Sequence, residues 1–303
     1  MPDKNCPHLL VTGADGHLGR RVVELLRNSG ARHVTAVSHQ LDKIFDLAAR
    51  GARIGRIDFN DPASLSVAFA GVDRLLHVSA GGLFTPTQCQ RQTKAVVDAA
   101  VSANVKHLVY FSLMNPKFDP SSPVAQDYLA AEQSIEDGGI PFTILRVNWY
   151  AEYLLLRVPT ALRFGKWLTS AGDGRTAYVS RDDVARAGAA ALSAQTMHSR
   201  WFDITGPRAL TSSELVQLVN GIFGSNIALI PASDEELAAS LAAHGMTETS
   251  VTLVVAKEQN ARAGWSSPVS NAVEQLTGKV PRDLSQFLVK HRLDLLLASS
   301  NRK

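Results

Sequence analysis

Short apolar runs alternate with amphipathic stretches along the first half of the chain. The runs have the length of buried strands, and the stretches between them repeat apolar residues at helical spacing, as Leu18, Val22 and Leu25 do. Strand and helix alternating in this way predict a doubly wound α/β fold built on a parallel sheet. The predicted strands are 8–12, 33–37, 53–57, 74–78, 107–111 and 142–146, and the predicted helices are 17–30, 42–50, one opened by Asp61-Pro62, one near 86–103 and one near 123–138.

The regular alternation stops after Tyr150, which predicts a second domain. We expect residues 1–150 to form the sheet domain and residues 151–303 to form a smaller, mainly helical substrate domain that covers a ligand site. A segment near 176–206 is expected to return to the first domain, with one more strand at 201–205. Thr211 and Glu214 have the spacing of a capping box that opens a helix, and further helices are predicted at 232–245 and 268–291.

Three glycines follow the first predicted strand and lead into the first helix, in the order Gly13-Ala-Asp-Gly16-His-Leu-Gly19. In this position the first glycine allows a tight turn, the second lets main-chain N–H groups approach a pyrophosphate, and the third permits close packing of helix on strand. The positive end of the helix dipole then faces the phosphates. The pattern therefore predicts a Rossmann-type dinucleotide site at the carboxyl ends of the strands.

The end of the second predicted strand bears on which dinucleotide binds. NAD-binding domains of this type expect an Asp or Glu there to hold the ribose hydroxyls, whereas this chain reads Ser38-His39-Gln40. The nearby bases Arg20, His39 and Lys43 favour the 2′-phosphate of NADPH, and NADH is the alternative.

Composition narrows the function further. The 303 residues are 45% hydrophobic and 19% charged with a formal net charge of +3, as in soluble enzymes, and without a dense Lys/Arg block nucleic acid is not an expected partner. The only two cysteines, Cys6 and Cys89, form no CxxC pair, which indicates a reducing compartment. We find no signal peptide and no apolar run of about 20 residues, so we expect a cytoplasmic protein with no membrane partner. The histidines have no metal-site spacing, and no metal is predicted.

The chain resembles the NmrA-like atypical short-chain dehydrogenases, and among them the bacterial NADPH-dependent quinone oxidoreductases and the triphenylmethane reductases. The resemblance covers nearly the whole chain and depends most on residues 11–19 together with 139–150. Further motifs lie at 70–76, 171–174, 181–185 and 273–278. The family implies NADPH as cofactor and a small aromatic or quinoid substrate, and it leaves a homodimer open.

The glycine motif and the resemblance together imply a set of cofactor contacts. They lie in the glycine loop, at the ends of the second, fourth and sixth strands, and after a turn in the second domain: Gly13, Asp15, Gly16, His17, Leu18, Gly19, His39, Lys43, Ser79, Ala80, Gly81, Val147, Asn148, Trp149, Tyr150, Glu152 and Arg175. The quinone reductases carry Arg where this chain has His39, which puts a preference for NADPH in doubt. Relatives read Leu-Arg-Asn at the end of the sixth strand, whereas here Val147 displaces the amide to Asn148, a candidate catalytic residue.

Two further catalytic candidates are Ser112, after the fifth strand, and Tyr128, on the next helix. Short-chain dehydrogenases normally place a Lys four residues after the catalytic Tyr, where it lowers the pKa of the phenol. Here that residue is Glu132, a surface or structural carboxylate that would raise the pKa of Tyr128 and keep it protonated. A standard alcohol dehydrogenase is therefore not expected, although Tyr128 could donate a hydrogen bond to an acceptor. Both candidates have a structural alternative, with Ser112 capping a loop and Tyr128 packing on a helix.

Hydride addition to an electron-poor conjugated acceptor needs little acid help, so the protein mainly orients the reactants and excludes water. An aromatic cluster follows the sixth strand, where Trp149, Tyr150 and Tyr153 either stack on a flat substrate or pack at a hinge. The leading hypothesis is an NAD(P)H-dependent reductase of quinones or similar flat compounds. The alternative, suggested by the missing Tyr–Lys pair, is a non-catalytic dinucleotide-binding redox sensor of the NmrA type. A nucleotide-sugar epimerase is disfavoured because that chemistry relies on the absent lysine.

Overall fold

The structure, a computed structural model, describes residues 6–79, 87–115 and 122–300. Its strands are β1 Leu9–Val11, β2 Val34–Ser38, β3 Arg53–Arg56, β4 Arg74–His77, β5 His107–Leu113, β6 Phe142–Val147, β7 Lys166–Thr169, β8 Arg175–Thr176, β9 Arg200–Ile204, β10 Leu210–Thr211 and β11 Ala228–Pro231. Its α-helices are α1 His17–Asn28, α2 Phe45–Ala49, α3 Pro62–Phe69, α4 Gln88–Ser102, α5 Pro123–Asp137, α6 Leu154–Phe164, α7 Arg181–Ser193, α8 Ser212–Phe223, α9 Asp234–Ala243, α10 Glu248–Arg262, α11 Ala272–Thr277, α12 Leu284–Lys290 and α13 Arg292–Ser300.

Seven strands form one sheet in the order β3-β2-β1-β4-β5-β6-β9, and every neighbouring pair is parallel. The strand order reverses between β1 and β4, so their carboxyl ends flank the crevice in which sheets of this kind bind ligands. The predicted doubly wound parallel sheet is confirmed, and the strand expected at 201–205 forms as β9.

Both faces of this sheet are buried. Leu10 and Leu108 pack into an apolar cluster to which α3, α4 and α5 also contribute. Val11 and Val109, the next residues along the same strands, are fully buried as well, and α1 and α7 pack together. Strands covered on both faces are expected to be continuously apolar, which is how these segments read.

Two predicted helix starts are confirmed by their caps. The carboxylate of Asp61 accepts the main-chain N–H of Ala63 at 3.0 Å, and proline occupies the first position of α3. At α8 the hydroxyl of Thr211 accepts the N–H of Glu214 at 3.1 Å, while the Glu214 carboxylate accepts the N–H of Thr211 at 2.8 Å.

Two predicted helices are wrong in extent. The segment 42–50 is a 3-10 turn, Leu41–Ile44, followed by the short α2, because Ile44 is fully buried and its φ of −120° interrupts the helix. The segment 268–291 contains α11 and α12 as separate helices. Gly278 follows α11 with a left-handed φ of +68°, the conformation that commonly ends a helix, and Pro281 comes shortly after it.

The chain forms two compact units. The first comprises Met1–Val147, Arg181–Ile204 and Gln275–Gly278, and the second comprises Asn148–Ser180, Thr205–Glu274 and Lys279–Lys303. The second unit is mainly helical, with a parallel pair β7–β11, an antiparallel pair β8–β10 and a core that includes Trp167, Leu237 and Phe287. That it covers a ligand site stays a prediction. Over the described ranges, no helix has both the length and the apolar content that crossing a membrane requires.

Candidate functional site

The glycine loop joins the end of β1 to the start of α1. Gly13 has a φ of +61°, and a Cβ there would lie 3.2 Å from the Cβ of Val78. A Cβ at Gly19 would come 2.4 Å from the carbonyl oxygen of Gly13, so only glycine lets α1 approach the loop this closely. Gly16 is the N-cap of α1 and supplies no side-chain cap, which leaves the N–H groups of the first turn for an anion.

A cavity of about 410 Å³ lies beside this loop in the first unit. Its lining comes from the loop, the ends of β2 and β4, the segment after β3 and the start of α4: Gly13, Asp15, Gly16, Ser38, His39, Ile57, Phe59, Val78, Ser79 and Gln88. Five predicted cofactor residues therefore share one cavity, and the close backbone approach at Gly13 and Gly19 fits a bound diphosphate. Sequence reasoning missed Gln88 and Val78 as lining residues, since neither carries a motif signal.

The charged groups near the end of β2 are paired with one another. Arg20 donates to Asp46 Oδ2 at 2.5 Å and to the main-chain oxygen of Lys43, and its hydrogen bond holds the pKa of Asp46 below the usual value. Ser38 Oγ donates to Asp15 Oδ1 at 2.7 Å, and His39 Nδ1 lies 4.0 Å from Asp15 Oδ2. Two of the three bases that favoured a phosphate ligand thus lie beside carboxylates.

Tyr128 lies on α5, and its side chain hydrogen-bonds to Ser79 at the end of β4. Burial, followed by proximity to Cys89, raises the pKa of Tyr128 to about 12. The predicted direction is confirmed, but the predicted cause is wrong, because the Glu132 carboxylate is engaged by other side chains. Tyr128 is therefore protonated at neutral pH and can act as a hydrogen-bond donor.

Ser112 belongs to a buried ion-pair network. Its Oγ donates to Glu132 Oε1 at 2.6 Å, and Arg146 donates to Oε1 from Nε at 3.0 Å and to Oε2 from Nη2 at 2.5 Å. The side chain of Glu132 is 1% exposed, so a surface role for it is wrong, and it is structural. Sequence reasoning missed the role of Arg146; its only signal is a charged residue inside a buried strand.

Two other polar residues of the first unit are structural. His77 is fully buried, both ring nitrogens lie 3.3 Å from the hydroxyls of Thr12 and Thr93, and burial lowers its pKa to about 3. Cys89 Sγ lies 2.9 Å from the Tyr110 hydroxyl, and burial raises the pKa of this thiol, so it has no thiolate character at neutral pH. Among the residues that the structure describes, no group of three or more His, Cys, Asp or Glu side chains could hold a metal ion.

Comparison with known proteins identifies the family. Residues 13–195 match the model of a family described as NAD(P)H-binding. The chain belongs to this NAD(P)H-binding family.

Related proteins of known activity align with nearly the whole of this NAD(P)H-binding chain. Quinone oxidoreductase 2 of Escherichia coli (strain K12) is 29% identical over 279 residues, covering 92% of this chain and 96% of that protein. The NAD(P)H azoreductase of Xenophilus azovorans is 25% identical over 285 residues, covering 93% and 97%.

Solved structures of related reductases match the fold of this chain over nearly its whole length. The NADPH complex of the Escherichia coli quinone oxidoreductase matches with a TM-score of 0.87 at 29% identity, covering 94% of this chain and 99% of that one. The triphenylmethane reductase of Citrobacter sp. matches with a TM-score of 0.87 at 29% identity, covering 95% and 99%. The family resemblance predicted from the motifs and the predicted fold class are confirmed.

Several predicted site residues of this NAD(P)H-binding protein lie in the second unit. Asn148 is buried, its Oδ1 accepts the N–H of Trp149 at 2.8 Å, and its Nδ2 donates to the carbonyl oxygen of Ser266 at 3.0 Å. These bonds tie two segments of the second unit together, and a catalytic role for Asn148 stays a prediction. Tyr150 forms an isolated parallel bridge with Val179.

The aromatic cluster after β6 is split by burial. Tyr153 is 5% exposed, and its ring centroid lies 6.2 Å from that of Trp149 and 6.4 Å from that of Tyr178. Burial raises the pKa of Tyr153, and its ring belongs to the core of the second unit, which favours packing over stacking on a substrate for this residue. Trp149 and Tyr150 are half-buried, and stacking on a substrate stays a prediction for these two residues.

The remaining predicted cofactor residues are placed as follows. Arg175 is exposed and donates to both carboxylate oxygens of Glu214, at 2.9 and 3.2 Å. In the other positions, His17 and Lys43 are exposed, Leu18 and Glu152 are half-buried, and Val147 is buried at the end of β6. Ala80 and Gly81 lie outside the described residues.

Proposed function

We propose that this protein is an NAD(P)H-dependent reductase that delivers hydride to a quinone or a similar flat, electron-poor acceptor. The observation that carries the proposal is the cavity beside the glycine loop, which reaches Ser79, the hydrogen-bond partner of the protonated Tyr128. Relatives named for the reduction of quinones, azo compounds and triphenylmethane dyes support this class of acceptor.

Different residues of the first unit would bind different parts of the dinucleotide. The loop Gly13–Gly19 and the open N–H groups at the start of α1 would hold the diphosphate. Phe59 and Ile57 line the same cavity and offer apolar surface against which the adenine ring would pack. When bound, the dinucleotide supplies the hydride.

The polar residues limit the proton chemistry. Tyr128 keeps its proton at neutral pH and would donate a hydrogen bond from Oη to an acceptor oxygen, without acting as a base. The Ser112 proton is directed at Glu132, and Arg146 holds that carboxylate, so among the described residues these groups form no lysine-assisted relay. A quinone needs no such relay, because the protein only has to orient it and exclude water.

The test is steady-state oxidation of NADH and of NADPH by purified protein with benzoquinones, naphthoquinones and an azo dye. Aliphatic ketones serve as the control class, because their reduction depends on acid catalysis. We expect oxidation with the flat acceptors and none with the ketones. Tight cofactor binding without turnover on any acceptor would instead support a non-catalytic redox sensor.

Two finer expectations accompany the proposal. We place the protein in the cytoplasm, a reducing compartment, which is consistent with the free thiols of Cys6 and Cys89. A homodimer stays a prediction, and light scattering of the purified protein measures it.

A further inference from the structure

We propose that Asp15 makes NADH the preferred cofactor of this site, by accepting a hydrogen bond from the 2′-hydroxyl of the adenosine ribose and by repelling the 2′-phosphate of NADPH. The inference rests on the proposed function, because it concerns the cofactor of the same site.

The acid expected at the end of β2 is supplied by the glycine loop. Asp15 directly precedes Gly16, yet its Oδ1 accepts the hydroxyl of Ser38, the last residue of β2, at 2.7 Å. Ser38 Oγ in turn accepts the N–H of Gln40 at 2.9 Å. This chain of hydrogen bonds holds a carboxylate where dinucleotide-binding domains place the acid that recognises ribose hydroxyls.

One oxygen of that carboxylate is available to a ligand. Asp15 lines the cavity and its side chain is 17% exposed. Within the described residues, Oδ2 accepts no hydrogen bond, and His39 Nδ1 is 4.0 Å away. A partly desolvated carboxylate oxygen gains most from a donor, and a ribose hydroxyl is a donor.

Among the described residues that line the cavity, no Lys or Arg side chain compensates the charge of Asp15. The Gln40 side-chain nitrogen lies 2.7 Å from His39 Nε2, and an amide N–H donated there directs the Nδ1 proton of the neutral ring towards Asp15. If His39 gains a second proton, the His39–Asp15 pair is only neutral. Arg20 is engaged by Asp46, and Lys43 is not among the described residues that line the cavity.

A 2′-phosphate brings up to two negative charges to this wall. Repulsion between unit charges about 5 to 6 Å apart near a protein surface corresponds to roughly a hundred- to three-hundredfold loss of affinity without salt, and to about ten- to hundredfold once physiological salt screens it. Salt screens part of this effect, so it should shrink as ionic strength rises.

The test compares dissociation constants of NADH and NADPH, measured by calorimetry without an acceptor, in the natural protein and in Asp15→Asn. The asparagine oxygen still accepts the Ser38 hydroxyl, so the variant removes the charge and keeps the local structure. We expect the natural protein to bind NADH at least tenfold more tightly, and Asp15→Asn to shift the ratio towards NADPH by about ten- to hundredfold. Asp15→Ser repeats the test if Asp15→Asn does not fold.

Asp98→Asn is the matched control. Asp98 is exposed on α4, pairs with Lys94 at 2.9 Å and lies outside the cavity lining, so removing its charge should leave the ratio unchanged. A natural protein that prefers NADPH, or a ratio that moves less than twofold in Asp15→Asn, overturns the inference. NADH preference without turnover on any acceptor would contradict only the proposed reductase activity, whereas failure to bind either cofactor would contradict both.

Discussion

Replacing Arg146 by methionine should destabilise the first unit strongly. The guanidinium is the cationic partner of Glu132, whose side chain is 1% exposed. Without Arg146 this carboxylate is left buried, with the Ser112 hydroxyl as its remaining hydrogen-bond donor among the described residues, and breaking a buried ion pair in this way typically costs about 3–5 kcal/mol. Asp203 adds to the cost, because burial raises its pKa while Arg146 lowers it, so the variant removes an attraction from a second carboxylate.

The cost should depend on which partner is removed. Arg146 is 18% exposed, so in Glu132→Gln water can reach the guanidinium, and we expect a loss of only about 1–3 kcal/mol. In the double variant Glu132→Leu/Arg146→Met no buried charge remains in the pair. Its loss should therefore be smaller than that of Arg146→Met alone.

Urea denaturation at neutral pH, followed by circular dichroism, gives the free energy of unfolding of each variant. The matched control is Arg208→Met, which breaks a two-bond pair with Asp283 whose side chains are 50% and 28% exposed, and should cost less than about 1 kcal/mol. The reasoning is refuted if Arg146→Met costs no more than this control, or if the double variant is at least as unstable as Arg146→Met alone.

Three further predictions follow from single groups in the first unit. Tyr128→Phe should change the kcat of quinone reduction by less than about tenfold, since a general acid would supply at least a hundredfold; a larger loss, or a rate that falls between about pH 6 and 9 in the natural protein only, would contradict this. Gly19→Ala should abolish the binding of NADH and NADPH measured by calorimetry, because its Cβ would lie 2.4 Å from the Gly13 oxygen. The control Gly221→Ala, in open space on α8, should bind both cofactors normally and gain up to about 1 kcal/mol of stability. Equal binding by the two variants would argue against the packing role of Gly19. Folding lowers the pKa of His77 from 6.5 to about 3, so the unfolded chain binds more protons between these pH values and acid destabilises the folded protein. On going from pH 7 to pH 5, this group should lower the free energy of unfolding of the natural protein by about 2 kcal/mol. Urea denaturation at the two pH values should show that His77→Gln lacks this part of the loss, and an unchanged loss would show that His77 is not its source.

Local signals in the sequence were enough to predict the glycine loop and two helix starts. A Cβ at Gly19 would collide with the Gly13 carbonyl whatever the rest of the chain does, and the bonds between Thr211 and Glu214 span one helical turn. Such contacts involve backbone geometry over a few residues, so the residue types reveal them directly.

The partners of the buried carboxylate could not be predicted in the same way. Glu132 lies four residues after Tyr128, and spacing alone suggested that its charge acts on the phenol. In the fold, β5 and β6 instead bring Ser112 and Arg146 to this carboxylate, and burial sets the pKa of Tyr128. Helical spacing predicts which residues share a face of a helix. The pairing of strands determines which residues of other elements contact that face.

The order of strands and helices, the parallel sheet and the dinucleotide loop could therefore be predicted from the amino-acid sequence, because periodicity, capping and backbone sterics act over short stretches of chain. The contact of Asp15 with Ser38 at the end of β2 and the enclosure of Tyr153 in a core could not be predicted and became evident from the fold. Contacts of this kind join residues from separate elements. They depend on strand order and on the packing of side chains across it, which no local pattern encodes.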